Sequence, residues 1–381
     1  MRIAALKERA SGEARVAVTP ETIKKFKALG ASVAVELGAG ERASISDTAY
    51  EEAGAELGLA AEVVQGAGIV LGVQAPDPAL IAPAAPGAMV AALFDPFEAG
   101  EGRGRERVAG YAAAGLEALA MELMPRITRA QSMDVLSSQS NLAGYKAVLA
   151  AANQYGRAFP MMMTAAGTIS AARLFVMGVG VAGLQAIATA RRLGAQVSAT
   201  DVRSATKEQI LSLGAKPIFV ETVAGIEGEG AGGYATEMSE EYQRAQAELV
   251  SGHIAKQDLV ITTALIPGRA APRLVSDAQI ATMRPGSVIF DLAVAQGGNV
   301  EGSIPDQIVE RHGVFVMGYS NTPGQLAADA SALFARNLYN FLSAFWDQEQ
   351  GRPVLDEEIG SAVRLTKGGA VVHERLRAAP G

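Results

Sequence analysis

Three glycines in this chain have the spacing that binding of a phosphate-bearing ligand requires. Gly178, Gly180 and Gly183 stand at G-x-G-x-x-G spacing in the stretch 176–183, which reads VMGVGVAG. In such a turn the first glycine permits the tight bend, the second lets the backbone approach a pyrophosphate, and the third lets a helix pack closely on a strand. The N-terminus of that helix faces the negative charge. The stretch therefore predicts a phosphate-binding turn, although the same spacing also occurs in ordinary strand-to-helix turns.

The elements that must position this turn are visible on both sides of it. Residues 173–177 form a short apolar run of buried-strand length, and residues 184–193 carry apolar side chains at helical spacing. A second apolar run, 196–200, follows the helix. This order of strand, glycine turn, helix and second strand indicates a dinucleotide-binding βαβ unit.

Asp201 ends that second run, at the place where an acceptor for ribose hydroxyls belongs. A carboxylate there gains hydrogen bonds from the two hydroxyls and repels a 2′-phosphate, so the sequence predicts NAD(H) in preference to NADP(H). Arg203 and Lys207 lie close by in the sequence. Because their positive charges attract a 2′-phosphate, the sequence does not exclude NADP(H) absolutely.

The composition indicates a globular protein of two domains and excludes several classes of function. With 381 residues, of which 49% are hydrophobic and 19% charged, the chain has ample material for two packed cores. The net charge of −7 works against nonspecific nucleic-acid binding. The sequence has no cysteine, which excludes disulfides, thiolate nucleophiles and cysteine-ligated zinc, and its three histidines are isolated, so no metal site is predicted.

No segment predicts export or membrane insertion. The apolar stretch within residues 1–8 is too short for a signal peptide and fits a first strand. The most apolar region, 159–190, is interrupted by Arg173 and by several glycines, so no uncharged run reaches the length that a bilayer requires. We therefore expect a chain that does not insert into a membrane directly.

The alternation of strand-like and helix-like runs predicts an α/β fold with two doubly wound, Rossmann-like domains and a ligand cleft between them. Before residue 130 the strand runs are 2–6, 32–36, 68–73, 89–94 and 116–121, and the helix runs are 21–29, 47–57 and 105–114. From the glycine turn onward, six parallel strands are expected at 173–177, 196–200, 217–220, 259–263, 287–292 and 314–317.

Two long helices, at about 134–155 and 326–346, are expected to join the domains. The second helix returns the chain to the first domain, which the C-terminal tail then completes. The predicted domains are a flavodoxin-like Rossmann domain made of residues 1–133 and 324–381, and an NAD(H)-binding Rossmann domain made of residues 134–323.

A family resemblance appears in the stretch 122–145, which reads ELMPRITRAQSMDVLSSQSNLAGY. It is similar to the NAD(H)-binding domain I of proton-translocating nicotinamide nucleotide transhydrogenase, a relative of alanine dehydrogenase. The likeness covers nearly the whole chain in the right order, which makes it far more specific than the glycine turn alone. Further matching stretches are 159–168, 178–193, 231–235, 262–268 and 291–294.

The resemblance implies that the segment 126–137 forms the wall over the nicotinamide. In the catalytic role, Arg126 and Asp134 would hold the carboxamide and nearby phosphate groups, while Gln131 would reach toward NADP(H) on a partner. Ser137 is implied as a further contact to the cofactor. The residues alone also allow an ordinary ion pair between Arg126 and Asp134, and helix-start capping by Gln131 and Ser137.

The resemblance also implies the remaining contacts to NAD(H). Tyr234 ends a glycine-rich stretch, 224–234, which is either a lid that closes on the nucleotide or a loose surface connection. The implied binding residues are Gly178, Val179, Gly180, Val181, Ala182, Gly183, Asp201, Val202, Arg203, Gly233, Tyr234, Thr263, Ala264 and Leu265.

The activity that the resemblance implies is direct hydride transfer from NADH to NADP⁺, Si/Re-specific and coupled to proton translocation. Such a transfer releases no proton to a side chain, so positioning of the two rings suffices and no general base is required. The implied enzyme works only with a membrane-spanning subunit and an NADP(H)-binding beta subunit. A homodimer is implied, located in the cytoplasm and associated with the inner membrane through those partners, and no nucleic-acid partner is expected.

Two alternatives stay open. An alanine dehydrogenase-like enzyme would need a substrate lysine and a histidine. Gln74 stands at the place of the lysine and Phe94-Asp95-Pro96 at the place of the histidine, although Arg15 does match the substrate arginine. A non-catalytic NAD-binding module would accommodate two departures from the transhydrogenase pattern, at Ala295 and at Gly324-Gln325.

Overall fold

A computed structural model describes residues 1–97, 102–220, 240–265 and 269–377, with the side chains of 240–243 left aside. The chain divides into two compact units, one made of Met1–Gln139 with Gly324–Gly381 and the other made of Ser140–Pro323. We call them the N-terminal unit and the central unit.

The secondary structure alternates between strands and helices in both units. The strands of the described residues are β1 (Arg2–Ala5), β2 (Ser32–Glu36), β3 (Glu56–Gly58), β4 (Ile69–Gln74), β5 (Met89–Leu93), β6 (Glu117–Ala120), β7 (Met162–Thr164), β8 (Gly167–Ile169), β9 (Arg173–Met177), β10 (Gln196–Thr200), β11 (Lys216–Pro217), β12 (Leu259–Thr262), β13 (Val288–Asp291), β14 (Gln307–Arg311), β15 (Val314–Gly318), β16 (Trp346–Asp347), β17 (Arg352–Pro353), β18 (Thr366–Lys367) and β19 (Ala370–Val371). The helices are α1 (Pro20–Ala28), α2 (Asp47–Ala53), α3 (Ala60–Val64), α4 (Arg103–Ala113), α5 (Val135–Gln154), α6 (Val181–Arg192), α7 (Thr206–Ser212), α8 (Glu240–Ile254), α9 (Asp277–Ile280), α10 (Ala327–Ala344), α11 (Glu357–Val363) and α12 (Glu374–Arg377).

The N-terminal unit is built on a parallel sheet with the strand order β3-β2-β1-β4-β5-β6. Alternate residues of β1, β2, β4, β5 and β6 enter two different cores, with Ile3 in one and Ala4 in the other. Burial on both faces explains why the strand sequences are continuously apolar instead of alternating. All five strand runs predicted for this part of the chain are confirmed.

The sixth strand of this sheet, β3, was not predicted. The sequence-based helix at 47–57 was wrong at its end, because α2 stops at Ala53. Gly54 adopts a left-handed conformation with φ +89°, which terminates the helix and releases the chain into β3.

The central unit contains a seven-stranded sheet with the order β11-β10-β9-β12-β13-β15-β14. Its first six strands in that order are parallel, which confirms the six that were predicted, although β11 is shorter than expected. The edge strand β14 runs antiparallel to β15 and was missed. Most of its side chains are exposed, so it lacks the apolar run by which the buried strands were found.

The C-terminal tail completes the N-terminal unit. On α10, Phe334, Leu338 and Phe341 are fully buried in the same core as Ile3. Beyond this helix, Arg364 forms a β-bridge with Leu119 next to the sheet. The structure therefore confirms the predicted fold class of two doubly wound domains, the first of them discontinuous in sequence.

Candidate functional site

The glycine turn connects β9 to α6 at the point where the strand order of the central sheet reverses. From β9 the order runs through β10 on one side and through β12 on the other, so the turn lies at the topological switch point, where doubly wound proteins bind ligands. Gly178 has φ +100°, a conformation that favours glycine. Gly180 precedes α6 and offers no side chain to cap it.

The three glycines are required for different reasons. A Cβ atom at Gly183 would lie 1.9 Å from the carbonyl oxygen of Gly178, and one at Gly178 would lie 2.5 Å from Oγ1 of Thr263. The packing of the protein itself therefore demands glycine at these two positions. Among the described residues, a Cβ at Gly180 would meet no atom within 4 Å, so this position has room for a phosphate there.

Asp201 connects the glycine turn to the end of β10. It is 7% exposed, and its Oδ2 accepts a hydrogen bond of 2.7 Å from the backbone N–H of Val179. Arg203 donates to Oδ1 through its backbone N–H and through Nε, both at 2.9 Å. Burial by itself raises the pKa of Asp201, but the hydrogen bonds from Arg203 and Val179 outweigh it and hold the pKa below its usual value. The carboxylate is thus ionised at neutral pH.

Replacement of Asp201 by alanine is expected to weaken NADH binding about 10- to 100-fold, because charge-assisted hydrogen bonds contribute about 1.5 to 3 kcal/mol. Asp201→Asn keeps an acceptor for Val179 and loses only the charge, so its defect should be smaller. Titration of each variant with NADH, followed by the fluorescence of the nucleotide, measures the effect. An unchanged dissociation constant for the alanine variant would count against a role in binding.

The predicted residues after β12 lie beside the glycine turn. Thr263 donates from Oγ1 to the carbonyl oxygen of Gly178 at 2.9 Å. Ala264 exchanges two hydrogen bonds with the amide side chain of Asn299, at 3.0 and 2.9 Å. Leu265 is exposed. The structure therefore brings Thr263 and Ala264 together with the residues of the G-x-G-x-x-G turn.

Asn299 and Asp291 support this site and were not identified from the sequence. Both are fully buried. The carboxylate of Asp291 accepts hydrogen bonds from the backbone of Ala293 and Val300 and from Oγ of Ser303, at 2.8 to 3.1 Å. Asp291 begins a stretch that matched the family, but no role was assigned to it, and no motif marked Asn299, because its partners Ala264 and Pro272 are distant in sequence.

The segment 126–137 belongs to the N-terminal unit. A short 3-10 helix, Thr128–Met133, leads into α5, and the carboxylate of Asp134 accepts hydrogen bonds from the backbone N–H and Oγ of Ser137 at 3.0 and 2.5 Å. Asp134 therefore caps α5, with Ser137 as the donor. Arg126 and Gln131 are both exposed.

Of the remaining predicted residues, the structure describes three and leaves two outside the described ranges. Val202 directly follows Asp201 and is half-buried, while Val181 and Ala182 form the first turn of α6. Gly144 of α5 packs against that turn so closely that a Cβ there would lie 2.0 Å from the carbonyl oxygen of Ala182. Gly233, Tyr234 and the rest of the glycine-rich stretch lie outside the described residues.

A second cluster of polar side chains occupies the switch point of the N-terminal sheet, between β1 and β4. The guanidinium of Arg15 pairs with Glu13, whose Oε2 also accepts from Nε2 of Gln74 at 3.0 Å. Glu8 accepts from the backbone of Val73 and Gln74, and burial raises its pKa to about 7. The sequence had singled out Arg15 and Gln74, but not the two glutamates.

The fold and the glycine turn define a class of protein, the two-domain α/β proteins that bind dinucleotides. Family models of the alanine dehydrogenase/PNT N-terminal and C-terminal domains match residues 4–143 and 147–374. The chain belongs to the alanine dehydrogenase/PNT family, as its motifs predicted.

Similar proteins fall in both branches of this family. The chain is 51% identical to an NAD(P) transhydrogenase alpha-subunit polypeptide from Rhodospirillum rubrum over 99% of either chain. A crystal structure of transhydrogenase from Sinorhizobium meliloti matches 98% of this chain and 100% of that one, with 50% identity and a TM-score of 0.84. L-alanine dehydrogenase matches 99% and 98% of the two chains with a TM-score of 0.80, but its 24% identity shows only a shared fold.

The described residues contain neither a membrane-spanning helix nor a metal-binding cluster. None of the helices there combines the length and the apolar character that crossing a bilayer requires. Nor do the described residues include a group of three or more histidine, cysteine, aspartate or glutamate side chains that could hold a metal ion.

Proposed function

We propose that this chain is the NAD(H)-binding subunit of a proton-translocating transhydrogenase and transfers hydride directly between NADH and NADP⁺ held by a partner domain. The observation that carries the proposal is the switch point of the central sheet, where the glycine turn and an ionised Asp201 meet. The name of the Rhodospirillum rubrum relative supports the assignment to a transhydrogenase.

The residues present fit a dinucleotide. The open side of Gly180 leaves room for a pyrophosphate at the N-terminus of α6, whose helix dipole favours the negative charge. Asp201 would accept from the ribose hydroxyls, and Thr263 with Ala264 would line the nicotinamide half of the site. When bound, the nicotinamide supplies the hydride.

The role of the chain in the reaction is positioning. Arg126 and Asp134 would hold the carboxamide and nearby phosphate groups, and Ser137, which donates to Asp134 at the start of α5, would be a further contact to the cofactor. Gln131, which is exposed, would reach toward the NADP(H) of the partner. No step in this scheme moves a proton to or from a side chain, so the reaction needs no general base.

The switch point of the N-terminal sheet favours this proposal over an amino-acid dehydrogenase. A keto acid would need a cation to bind its carboxylate. Each of the three guanidinium nitrogens of Arg15 already donates to Glu13 or to Gln139, and Gln74 donates to Glu13. The positive charge of Arg15 is thus already paired with a carboxylate of the protein.

We further propose a homodimer, associated with the inner membrane from the cytoplasm through a membrane-spanning subunit and an NADP(H)-binding beta subunit. The hairpin of β7 and β8 supports the homodimer, because it exposes Met161, Met163 and Ile169 by 62%, 78% and 41%. Apolar side chains exposed in a row are typical of a surface that a second copy covers. The mass of the purified chain in sedimentation checks this part of the proposal.

Reconstitution tests the activity. The full chain is mixed with an NADP(H)-binding partner domain, and hydride exchange between NADH and an NADP⁺ analogue is followed by absorbance. Exchange well above that of either component alone is expected. Tight NADH binding without exchange would favour a non-catalytic module, and NADH consumption with pyruvate and ammonia would favour an amino-acid dehydrogenase.

A further inference from the structure

The N-terminal sheet has the Rossmann strand order but lacks a glycine turn at its switch point. In this place, Glu13 and Arg15 follow β1, and Gln74 ends β4. Glu13 is 1% exposed and Arg15 is 4% exposed. A charged pair that is buried this completely contributes little net stability, because its desolvation offsets the attraction between the charges. The pair therefore needs an explanation other than stability.

The geometry of Arg15 connects this pair to α5. Its Nε and one terminal nitrogen donate to the two carboxylate oxygens of Glu13, at 2.7 and 2.6 Å. This bidentate contact fixes the plane of the guanidinium. The other terminal nitrogen donates to Oε1 of Gln139 at 2.9 Å. Gln139 is 124 positions further along the chain, in the second turn of α5.

The beginning of α5 is held from a second side by α10. Nε2 of Gln139 donates to the carbonyl oxygen of Ala330 at 3.1 Å, and Oγ of Ser138 donates to Oδ1 of Asn337 at 2.7 Å. Asn337 also donates to the carbonyl oxygen of Ser132, in the 3-10 helix that precedes α5. The first two turns of α5 thus lie between Arg15 and α10, with Asp134 and Ser137 at their start.

We propose that Arg15 is a positioning residue, which fixes the start of α5 through Gln139 and thereby holds the Asp134–Ser137 pair in place. This inference rests on the proposed function, because that function assigns the pair to the cofactor site. In a reaction that depends on ring geometry, a displacement of about 1 Å costs about 100-fold in rate.

A double-mutant cycle tests the connection. Gln139→Leu removes the acceptor of Arg15, and with it the donor to Ala330, at nearly constant size. Ser137→Ala removes the hydroxyl donor to Asp134 and keeps the backbone donor. In the full chain with its partner domain, Gln139→Leu should lower the hydride-transfer rate at least about tenfold. In the Ser137→Ala background the same change should have an effect of about twofold or less, because residues that act as one unit are not additive.

Two further variants separate positioning from folding. Gln139→Glu keeps an acceptor for Arg15 but loses the donor to Ala330, so it should recover part of the rate that the leucine variant loses. Arg364→Lys weakens the half-buried ion pair with Glu117 in the same unit, and it should lower the melting temperature without changing the rate of the folded protein.

The inference is overturned if the effects of Gln139→Leu and Ser137→Ala multiply, or if a folded Gln139→Glu variant stays as slow as the leucine variant. A rate loss in Arg364→Lys equal to that in Gln139→Leu would also overturn it. Failure of the proposed function looks different, since the wild-type chain would then give no exchange with its partner. In that case the same cycle, measured on the dissociation constant of NADH, still decides whether Arg15 acts through α5.

Discussion

Alanine at position 180 is expected to weaken NADH binding about 10- to 100-fold and to leave the folded protein almost unchanged. A Cβ there meets no atom of the described part of the chain within 4 Å, and the backbone is extended, with φ −79°. Loss of glycine at the residue before a helix costs less than about 1 kcal/mol of stability. A pyrophosphate at the N-terminus of α6 would, in contrast, meet the added methyl group and lose charge-assisted hydrogen bonds worth about 1.5 to 3 kcal/mol.

Gly183→Ala provides the matched comparison, because the two glycines differ in what surrounds them. Its Cβ would lie 1.9 Å from the backbone oxygen of Gly178, so the strand and the helix must separate. Overpacking of this kind costs about 3 kcal/mol, and the displaced turn should lose NADH as well. Thermal unfolding and NADH titration of both variants give the comparison. Normal NADH affinity in Gly180→Ala would show that no phosphate approaches this turn.

The elements around the glycine turn were predictable because their signals are local. Strand β9, helix α6 and strand β10 follow within 28 residues, and each has an apolar run or a helical period of its own. Strand β3 and the edge strand β14 were missed, because the first is three residues long and the second is mostly exposed. A short or exposed strand is formed by pairing with its neighbour, which composition does not record.

The candidate site shows the same division between local and distant signals. Spacing alone located Gly178, Gly183 and Asp201, whose contacts are with one another's segments. Spacing could not reveal that Asn299 holds Ala264 from 35 positions away. Such contacts depend on which strands become neighbours, and that order is a property of the whole sheet.

The assignment of the segment 126–137 to the nicotinamide site came from the family resemblance. The hydrogen bonds within this segment also have an ordinary structural explanation. Asp134 acts as the cap of α5 in the structure, whereas the sequence had allowed capping by Gln131 and Ser137 and an ion pair for Asp134. A cap and a ligand contact are compatible, because a carboxylate has acceptor positions beyond the two that Ser137 uses. The role of this segment at the cofactor therefore stays a prediction.

Glu122→Gln is expected to gain stability relative to the wild type as the pH rises, by about 2 kcal/mol between pH 5.5 and pH 8.5. Glu122 as a residue is half-buried, but its carboxyl group is enclosed. Oε1 accepts hydrogen bonds from the backbone of Phe94 and Asp95, at 2.7 and 2.6 Å, whereas the buried Oε2 has no partner among the described residues. Burial raises the pKa of Glu122 to about 7, and the charge of Asp95 adds to this effect.

The sign follows from proton binding in the two states. Between pH 4.5 and about 7 the folded protein keeps the proton of Glu122 and the unfolded chain has released it. Wild-type stability therefore falls as the pH rises through this window, by about 1.4 kcal/mol per pH unit. Glutamine cannot ionise and removes this loss. Glu8→Gln should show the same sign, because burial also raises the pKa of Glu8 to about 7.

Glu21→Gln is the control for this pH dependence. Hydrogen bonds from Arg336 and Lys25 lower the pKa of Glu21 to about 2, so its titration lies below the range measured. The stability difference from the wild type should then be equal at pH 5.5 and pH 8.5. Urea unfolding of the three variants at both pH values provides the numbers. A Glu122→Gln variant whose stability difference from the wild type does not change with pH would mean that the carboxyl group is hydrated and ionised throughout, and that the ends of β5 and β6 are more open than the structure shows.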